Sequence, residues 1–311
     1  MGNPLVGDKY ATNLMFCVLQ SQQLVQYDLT GAKPFLKWAG GKSRLLEKIE
    51  PFLPPPDVRQ RYHEPFLGGG AMFFRLRPET AWLSDKVQDL TITYRVVRDE
   101  VDDLIDILRE YQNQHAEAGK SFYEQIRGQR GRDLAPLERA ARFIYLNKTC
   151  YNGIYRVNDH GAFNVPMGRY ERPRILDEPT LRTGSAALRN ASIRHLDYSS
   201  ALAPVRKGDF AYLDPPYWGR YTSYHKDGFG MDQQEELARL FRKLSSRGAY
   251  LMMNNGADDE ITKLYDGFRI ISLRSRVFLS GKLKGRRVAK GVLILNYDPD
   301  RLELVRPASH A

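Results

Sequence analysis

The chain has 311 residues, enough for one large domain or two modest ones, and its 42% hydrophobic content argues against disorder. Lys and Arg outnumber Asp and Glu by 47 to 37, a net charge of +10 that favours a polyanionic partner. Cys17 and Cys150 are too few for a disulfide framework or a Cys-based zinc site and fit a reducing compartment, and no apolar run approaches the ~20 residues of a membrane span.

Residues 1–31 have no clear period and read as an extension. Within it, Leu14-Met15-Phe16-Cys17-Val18-Leu19 is apolar but short and lacks a basic leader. It reads as an added strand or helix, not a signal peptide. Next comes Phe35-Leu36-Lys37-Trp38-Ala39-Gly40-Gly41-Lys42-Ser43. Gly40-Gly41 allows a tight turn, and a helix is expected over 42–49. An ATP-type phosphate loop would need Gly where Leu36 stands. A Trp beside a Gly turn and two Lys suits instead an aromatic wall and a charge partner for a small zwitterionic ligand; a core Trp with surface lysines is the plainer alternative.

Residues 61–66 read as a strand, followed by Leu67-Gly68-Gly69-Gly70 and a helix. Glycines at such a turn let backbone approach a ligand closely. Residues 81–85 are a second strand ending in Asp85, where an acid commonly accepts hydrogen bonds from ribose hydroxyls. Gly turn and acid together indicate an adenosine-containing cofactor, while Asp85 could equally cap a helix starting near Lys86. From 87 to about 108 the spacing is helical, 128–132 breaks the chain, and Pro136 suits the first turn of a helix to about 147. This stretch has no further strand and reads as a helical insertion.

Residues 147–170 differ in kind, with aromatics, amides and basic residues alternating around Gly153. Arg and Asn read base edges bidentately, and Tyr can stack or wedge into a base step. A β-hairpin carrying them could enter a groove; composition alone fits a solvated hairpin as well. Strands are expected at 193–197, 209–213 and 249–253, and an antiparallel pair at 268–273 and 292–297. A helix at 233–244 carries an apolar stripe of Leu237, Leu240, Phe241 and Leu244. Residues 219–230 suit a mobile lid, and the basic run from Arg274 to Lys290 suits phosphate contact.

The strand at 209–213 runs into Asp214-Pro215-Pro216-Tyr217. Two prolines cannot continue a ladder, so the strand leaves a carboxylate at its carboxyl end, where open α/β sheets bind ligands. Asp214, the Pro215 carbonyl and the Tyr217 ring make a site for a planar amino group, such as a nucleobase amine.

Taken together, Phe35 to Lys42, Glu64 to Gly70, Ser84 to Leu90, Phe143 to Tyr170, Asp214 to Tyr217 and Arg286 to Tyr297 resemble the Dam-type DNA adenine-N6 methyltransferases of the α-group. The resemblance implies a Rossmann-like α/β sheet with an inserted, mainly helical target-recognition domain carrying a β-hairpin. The corresponding division is an extension at 1–32, a catalytic cofactor-binding domain at 33–90 and 190–300, the insertion at 91–189 and a tail at 301–311. It implies S-adenosyl-L-methionine as cofactor, held by Trp38, Lys42, Phe66, Gly68, Gly70, Asp85 and Asp214, with Asp214, Pro215, Pro216 and Tyr217 catalytic. Lys37, Tyr151, Asn152, Ile154, Arg156 and Arg169 fall on positions that contact or intercalate into double-stranded DNA, and the hairpin resembles those reading GATC. No metal is implied. A monomer acting on DNA in the cytoplasm of a bacterial or phage-infected cell is expected, with a cognate restriction nuclease as a candidate partner. Val87 stands where the family often has Asn, and Lys148-Thr149-Cys150 depart from it, so flanking preference stays open. A methyltransferase on an RNA base or protein amide, or a non-catalytic DNA binder, are the alternatives.

Overall fold

The structure, a computed structural model, describes residues 31–302 except 39, 44, 219–228 and 277–287, with backbone alone at 274–276 and 288–290. Most of the expected lid (219–228), most of the basic run, and the apolar stretch at 14–19 lie outside the described residues. In chain order, the short helix α1 (Leu46–Ile49) precedes β1 (Tyr62–Glu64), α2 (Ala71–Leu76) and β2 (Ala81–Asp85). Five helices follow: α3 (Gln88–Asp99), α4 (Val101–Ala118), α5 (Lys120–Gly128), α6 (Pro136–Thr149) and α7 (Glu178–Leu188). The chain then returns through β3 (Ala191–His195), α8 (Tyr198–Leu202), β4 (Phe210–Leu213), α9 (Met231–Ser246), β5 (Tyr250–Gly256), α10 (Asp259–Lys263), β6 (Arg269–Arg276) and β7 (Val288–Leu295).

The strands form one seven-stranded sheet in the order β3-β2-β1-β4-β5-β7-β6. β1 to β5 run parallel, and β7 pairs antiparallel with both β5 and β6. The strand order reverses between β1 and β4, which opens a crevice at their carboxyl ends. Side chains alternate across the sheet as strand geometry requires. On β4, Phe210 and Tyr212 enter the core shared with α3 to α7, whereas Ala211 and Leu213 enter the core under α9.

Several boundaries differ from those expected. Pro65 ends β1 at Glu64, since proline has no donor for the ladder. β3 lies two residues earlier because Asp197 caps α8, accepting the Ser199 and Ser200 N–H groups at 2.9 and 3.1 Å. β5 runs on through Asn254 and Asn255, whose buried amides donate to the Tyr212 hydroxyl at 3.0 Å and to Gln234 at 2.9 Å. The helix expected at 42–49 is confined to 46–49, because Lys42 is drawn into the crevice. The arms of the expected hairpin are antiparallel but pair only at the bridges Cys150–Met167 and Val157–Phe163. Asn152 and Gly153, at φ of 55° and 65°, interrupt any ladder between them.

The stripe on α9 behaves as its spacing predicts, with Leu237, Phe241 and Leu244 buried and Leu240 half-buried. Phe241 packs edge-on against Phe268 at 4.9 Å and Tyr265 at 5.4 Å. Phe241→Ala should therefore cost ~3–5 kcal/mol of folding stability, the range for a buried aromatic truncation. Chemical denaturation measures this; a loss below ~1 kcal/mol would show that this face of the sheet is not the tightly packed core described.

Candidate active site

β4 ends at Leu213, so Asp214 stands at the mouth of the crevice. Lys42 reaches it from 172 residues away: its Nζ lies 2.6 Å from each carboxylate oxygen and donates a hydrogen bond to Oδ2 and another to the Gly40 carbonyl at 2.8 Å. Oδ1 is buried and faces the same ammonium, but accepts no hydrogen bond from the described residues. The pair is shielded, with side-chain exposures of 8% for Lys42 and 19% for Asp214. Burial works against the Lys42 ammonium, but Asp214 and Tyr217 outweigh it and hold its pKa above the ordinary value. Burial likewise raises the Asp214 carboxyl, and Lys42 pulls it part of the way back. The Lys42 ammonium also lies 5.0 Å from the Tyr217 ring centroid.

The turn after Asp214 is fixed from beneath. Gln234 on α9 is buried, donates to the Pro216 carbonyl at 3.0 Å and accepts from Asn255 on β5 at 2.9 Å. Sequence reasoning missed both residues. The only signal was a pair of amides at the end of a buried strand and a Gln one turn before the apolar stripe.

Beside this centre, the glycine turn and Asp85 form a cradle. Asp85 accepts the Gly68 N–H at Oδ2 and the Val87 N–H at Oδ1, both at 2.9 Å. Asp85 is not the cap of α3, whose N-cap is Val87 with no side-chain cap bond; its carboxylate instead ties the Gly turn to the residue just before that helix. Gly68 has φ of 48°, and a Cβ there would sit 2.7 Å from the Trp38 ring. The indole is therefore in close contact with the turn, and no side chain fits between them. Phe66 stacks on Tyr198 at 5.5 Å and packs edge-on against Phe229 at 5.9 Å.

Glu64 is a third carboxyl at this sheet edge that sequence reasoning did not single out. It is fully buried, and burial raises its pKa to about 8, against the pull of a hydrogen bond from the Tyr62 hydroxyl at 2.7 Å. Asp214 and Asp85 add to the rise by like-charge repulsion.

The segment 147–170 packs against one side of the crevice. Asn147 clamps it: its Oδ1 accepts the Lys37 N–H at 2.9 Å, and its amide donates to the carbonyls of Lys37 at 2.7 Å and Gly153 at 3.2 Å. Tyr151 and Asn152 project outward, with Tyr151 47% exposed. Ile154 is half-buried against the core. Arg156 is exposed and donates to the Asn164 side-chain oxygen at 2.7 Å and to its carbonyl at 3.2 Å. Lys37 sits 4.3 Å from the Tyr170 ring centroid, and both line a cleft of about 550 Å³ with Lys148, Arg169, Arg172 and Arg174. Among the described residues, no cluster of His, Cys, Asp or Glu could hold a metal ion and no helix is long and apolar enough to cross a membrane.

Residues 38–277 match the family model for the D12 class of N6 adenine-specific DNA methyltransferases. The chain belongs to this class. The type II methyltransferase M.MjaIII of Methanocaldococcus jannaschii is 40% identical over 289 residues, covering 85% of this chain and 99% of that protein. The type II methyltransferase M1.LlaDCHI of Lactococcus lactis is 34% identical, covering 88% and 99%. A DNA adenine methylase of Serratia marcescens is 32% identical, covering 85% and 98%. The match spans the glycine turn, the helices between β2 and β3, and Asp214 to Tyr217, so the crevice belongs to an adenine-specific DNA methyltransferase.

The buried Glu64 gives this methyltransferase a pH signature. The folded state holds the Glu64 proton up to about pH 8, whereas the unfolded chain releases it near 4.5. A raised folded pKa means that stability is fully present below the unfolded value and is lost as pH rises through the folded one. Glu64→Gln should lack this slope, gaining roughly 3 kcal/mol relative to wild type between pH 5 and pH 8. Denaturant titrations of both proteins at the two pH values measure it; parallel pH dependences would show that Glu64 ionises normally.

Proposed function

We propose that the chain moves a methyl group from S-adenosyl-L-methionine to the N6 amine of an adenine turned out of double-stranded DNA, in the sequence GATC. The Asp214 carboxylate carries this reading: it stands at the carboxyl end of β4 with both oxygens 2.6 Å from the Lys42 Nζ, and among the described residues only Oδ2 accepts a hydrogen bond. An adenine amine is a poor nucleophile because its lone pair is delocalised into the ring. Accepting one of its N–H bonds at Asp214 and the other at the Pro215 carbonyl favours a pyramidal nitrogen with an available lone pair. The cofactor supplies an electrophilic sulfonium methyl when bound, so the protein has mainly to position the two reactants. The displacement would release S-adenosylhomocysteine as the neutral thioether and one N6 proton to solvent, so Asp214 need not take a full proton.

The cradle fits that cofactor. Each Asp85 oxygen already accepts one backbone N–H and keeps a lone pair for a ribose hydroxyl. Trp38 offers an aromatic wall, and Gly68 keeps the turn free of side chains at its face. Gly70, whose Cβ direction meets Tyr94 and Phe74, and Phe66, stacked on Tyr198, are assigned to the cofactor by the resemblance alone. Turning a base out of the stack costs a few kcal/mol, which stacking on Tyr217 offsets. Tyr151 and Asn152, exposed on their turn, suit a wedge and an amide filling the vacated space.

Arg156 keeps guanidinium donors beyond those used on Asn164, enough for the O6 and N7 acceptors of a guanine. Ile154 suits a thymine methyl, Lys37 a second guanine, and Arg169 a backbone phosphate. A monomer on DNA suffices for this chemistry. The reading assigns the protein to the cytoplasm of a bacterial or phage-infected cell, and a cognate restriction nuclease is its candidate partner.

Transfer of a labelled methyl group to unmethylated duplex DNA tests the reaction. Asp214→Ala should abolish transfer while leaving duplex affinity within roughly tenfold, about 1.4 kcal/mol. Near-normal turnover by the variant would remove Asp214 from the chemistry. The target is tested by challenging methylated plasmid with a nuclease that cuts only unmethylated GATC. Complete cutting of plasmid that has incorporated label would reject GATC and leave the reaction standing.

Arg156→Ala should cost ~1–3 kcal/mol and relax discrimination at one guanine. Competition binding with single-base variants of the duplex reads this out. Equal weakening on every duplex would show that Arg156 touches phosphate, not a base edge.

A further inference from the structure

Tyr155 lies between Ile154 and Arg156, two of the side chains proposed to read bases, yet it turns away from them into the protein. Its ring stacks on Trp38, with centroids 6.4 Å apart and planes 22° from parallel. It also packs on Phe143 of α6 at 5.3 Å and on Phe163, from the returning arm of the same segment, at 6.1 Å. Its hydroxyl donates to Oδ2 of Asp89 at 2.9 Å. Asp89 sits in the first turn of α3, one helical turn beyond Asp85, and its other oxygen accepts from Arg139 of α6. Burial and the Asp89 charge both push the phenol pKa upward, so the hydroxyl stays a donor throughout the working pH range.

One side chain therefore touches the aromatic wall of the cradle, the start of the helix that follows Asp85, and both arms of the segment that carries Arg156. We propose that Tyr155 is a positioning residue that couples the two substrates, so that filling the cradle favours the arrangement of residues 154–156 that binds target DNA, and the reverse. The inference rests on the cofactor and DNA reading given above. The physical basis is shared ordering. A ligand against Trp38 and Asp85 restrains the ring and the Asp89 end of the Tyr155 network. Duplex against Ile154 and Arg156 restrains its backbone. Whichever binds first meets part of the ordering cost of the second. Linkage then requires equal factors in both directions.

The test uses the full chain, S-adenosylhomocysteine as the cradle probe, and a short duplex bearing the site that the methylation assay identifies. Calorimetry gives the affinity of each probe alone and in the presence of the other. For wild type, each should tighten the other about tenfold, or 1.4 kcal/mol. Tyr155→Phe keeps the ring and loses the hydroxyl; Tyr155→Leu loses the stacking as well. In both, the factor should fall below about threefold, while each probe alone binds within about threefold of wild type. Loss of coupling in Tyr155→Leu only would also support the inference, with the stacked ring as the link. Two outcomes overturn it: a wild-type factor of one although both probes bind, or wild-type coupling retained in both variants. A mere packing role would give the latter, with lowered melting temperatures and unchanged coupling. If Tyr155→Leu does not fold, retained coupling in Tyr155→Phe overturns the inference and its loss supports it. Failure of wild type to bind either probe would instead bring down the cofactor and DNA reading itself, and the coupling with it.

Discussion

The Lys42–Asp214 ion pair is the interaction on which the crevice depends. It joins a turn near the start of the described chain to the end of β4, and most of its surface is withheld from water. Two buried charges are tolerable only as a pair, since removing one partner strands the other at a cost of about 3–5 kcal/mol. Lys42 thus has to arrive, and it brings Trp38 and the Gly40 turn with it. Trp38 then lies on Gly68, Gly68 is held by Asp85, and Asp85 fixes the residue before α3. The order of these contacts explains why segments far apart in sequence close on one point.

A second theme is the use of buried side-chain amides as substitutes for backbone. Asn296 accepts the Leu251 N–H and donates to the Ala249 carbonyl, next to the ladder between β5 and β7. Asn147 does the same for Lys37 and Gly153. Each amide offers both a donor and an acceptor, so it can satisfy two backbone groups where no strand reaches. Asn147 works beside the crevice and Asn296 at the opposite end of β5, so irregular chain is held at both ends of the sheet.

The sheet was largely legible in the sequence because its strands are short, apolar and ended by residues that cannot continue a ladder. β2 matched its expected bounds, and β4 began one residue late. The antiparallel pair at the edge was recognised as a pair, although both of its strands are shifted. Local competition was harder to read. Asp197 takes two residues from the expected end of β3 for a helix cap, and Lys42 leaves the expected helix to meet a charge that no local pattern reveals. Glu64 was overlooked because an acid before proline looks like an ordinary strand end; its burial is created by the helices folded over it. Gln234 and Asn255 resemble surface amides until α9 and β5 are brought together. Trp38, Asp85 and Asp214 were legible because each sits at a turn whose residue types restrict what the backbone can do. Tyr155 was seen only as one aromatic among several, since the alternation around Gly153 does not say which of them turns inward.

The helices from α4 to α7 leave the sheet after β2 and return at β3, which pairs directly with β2. Both ends of this excursion are therefore anchored on adjacent strands at one side of the sheet, away from β4 to β7. The excursion is not separable from the sheet, because α3 to α7 share one hydrophobic core with Phe210, Tyr212 and Met252. Polar and aromatic contacts add to that shared core. Asn147, Tyr155 and Arg139 have their partners in Lys37, Trp38 and Asp89 on the sheet side. A replacement excursion would therefore have to reproduce the apolar face that completes the sheet's core as well as these three contacts.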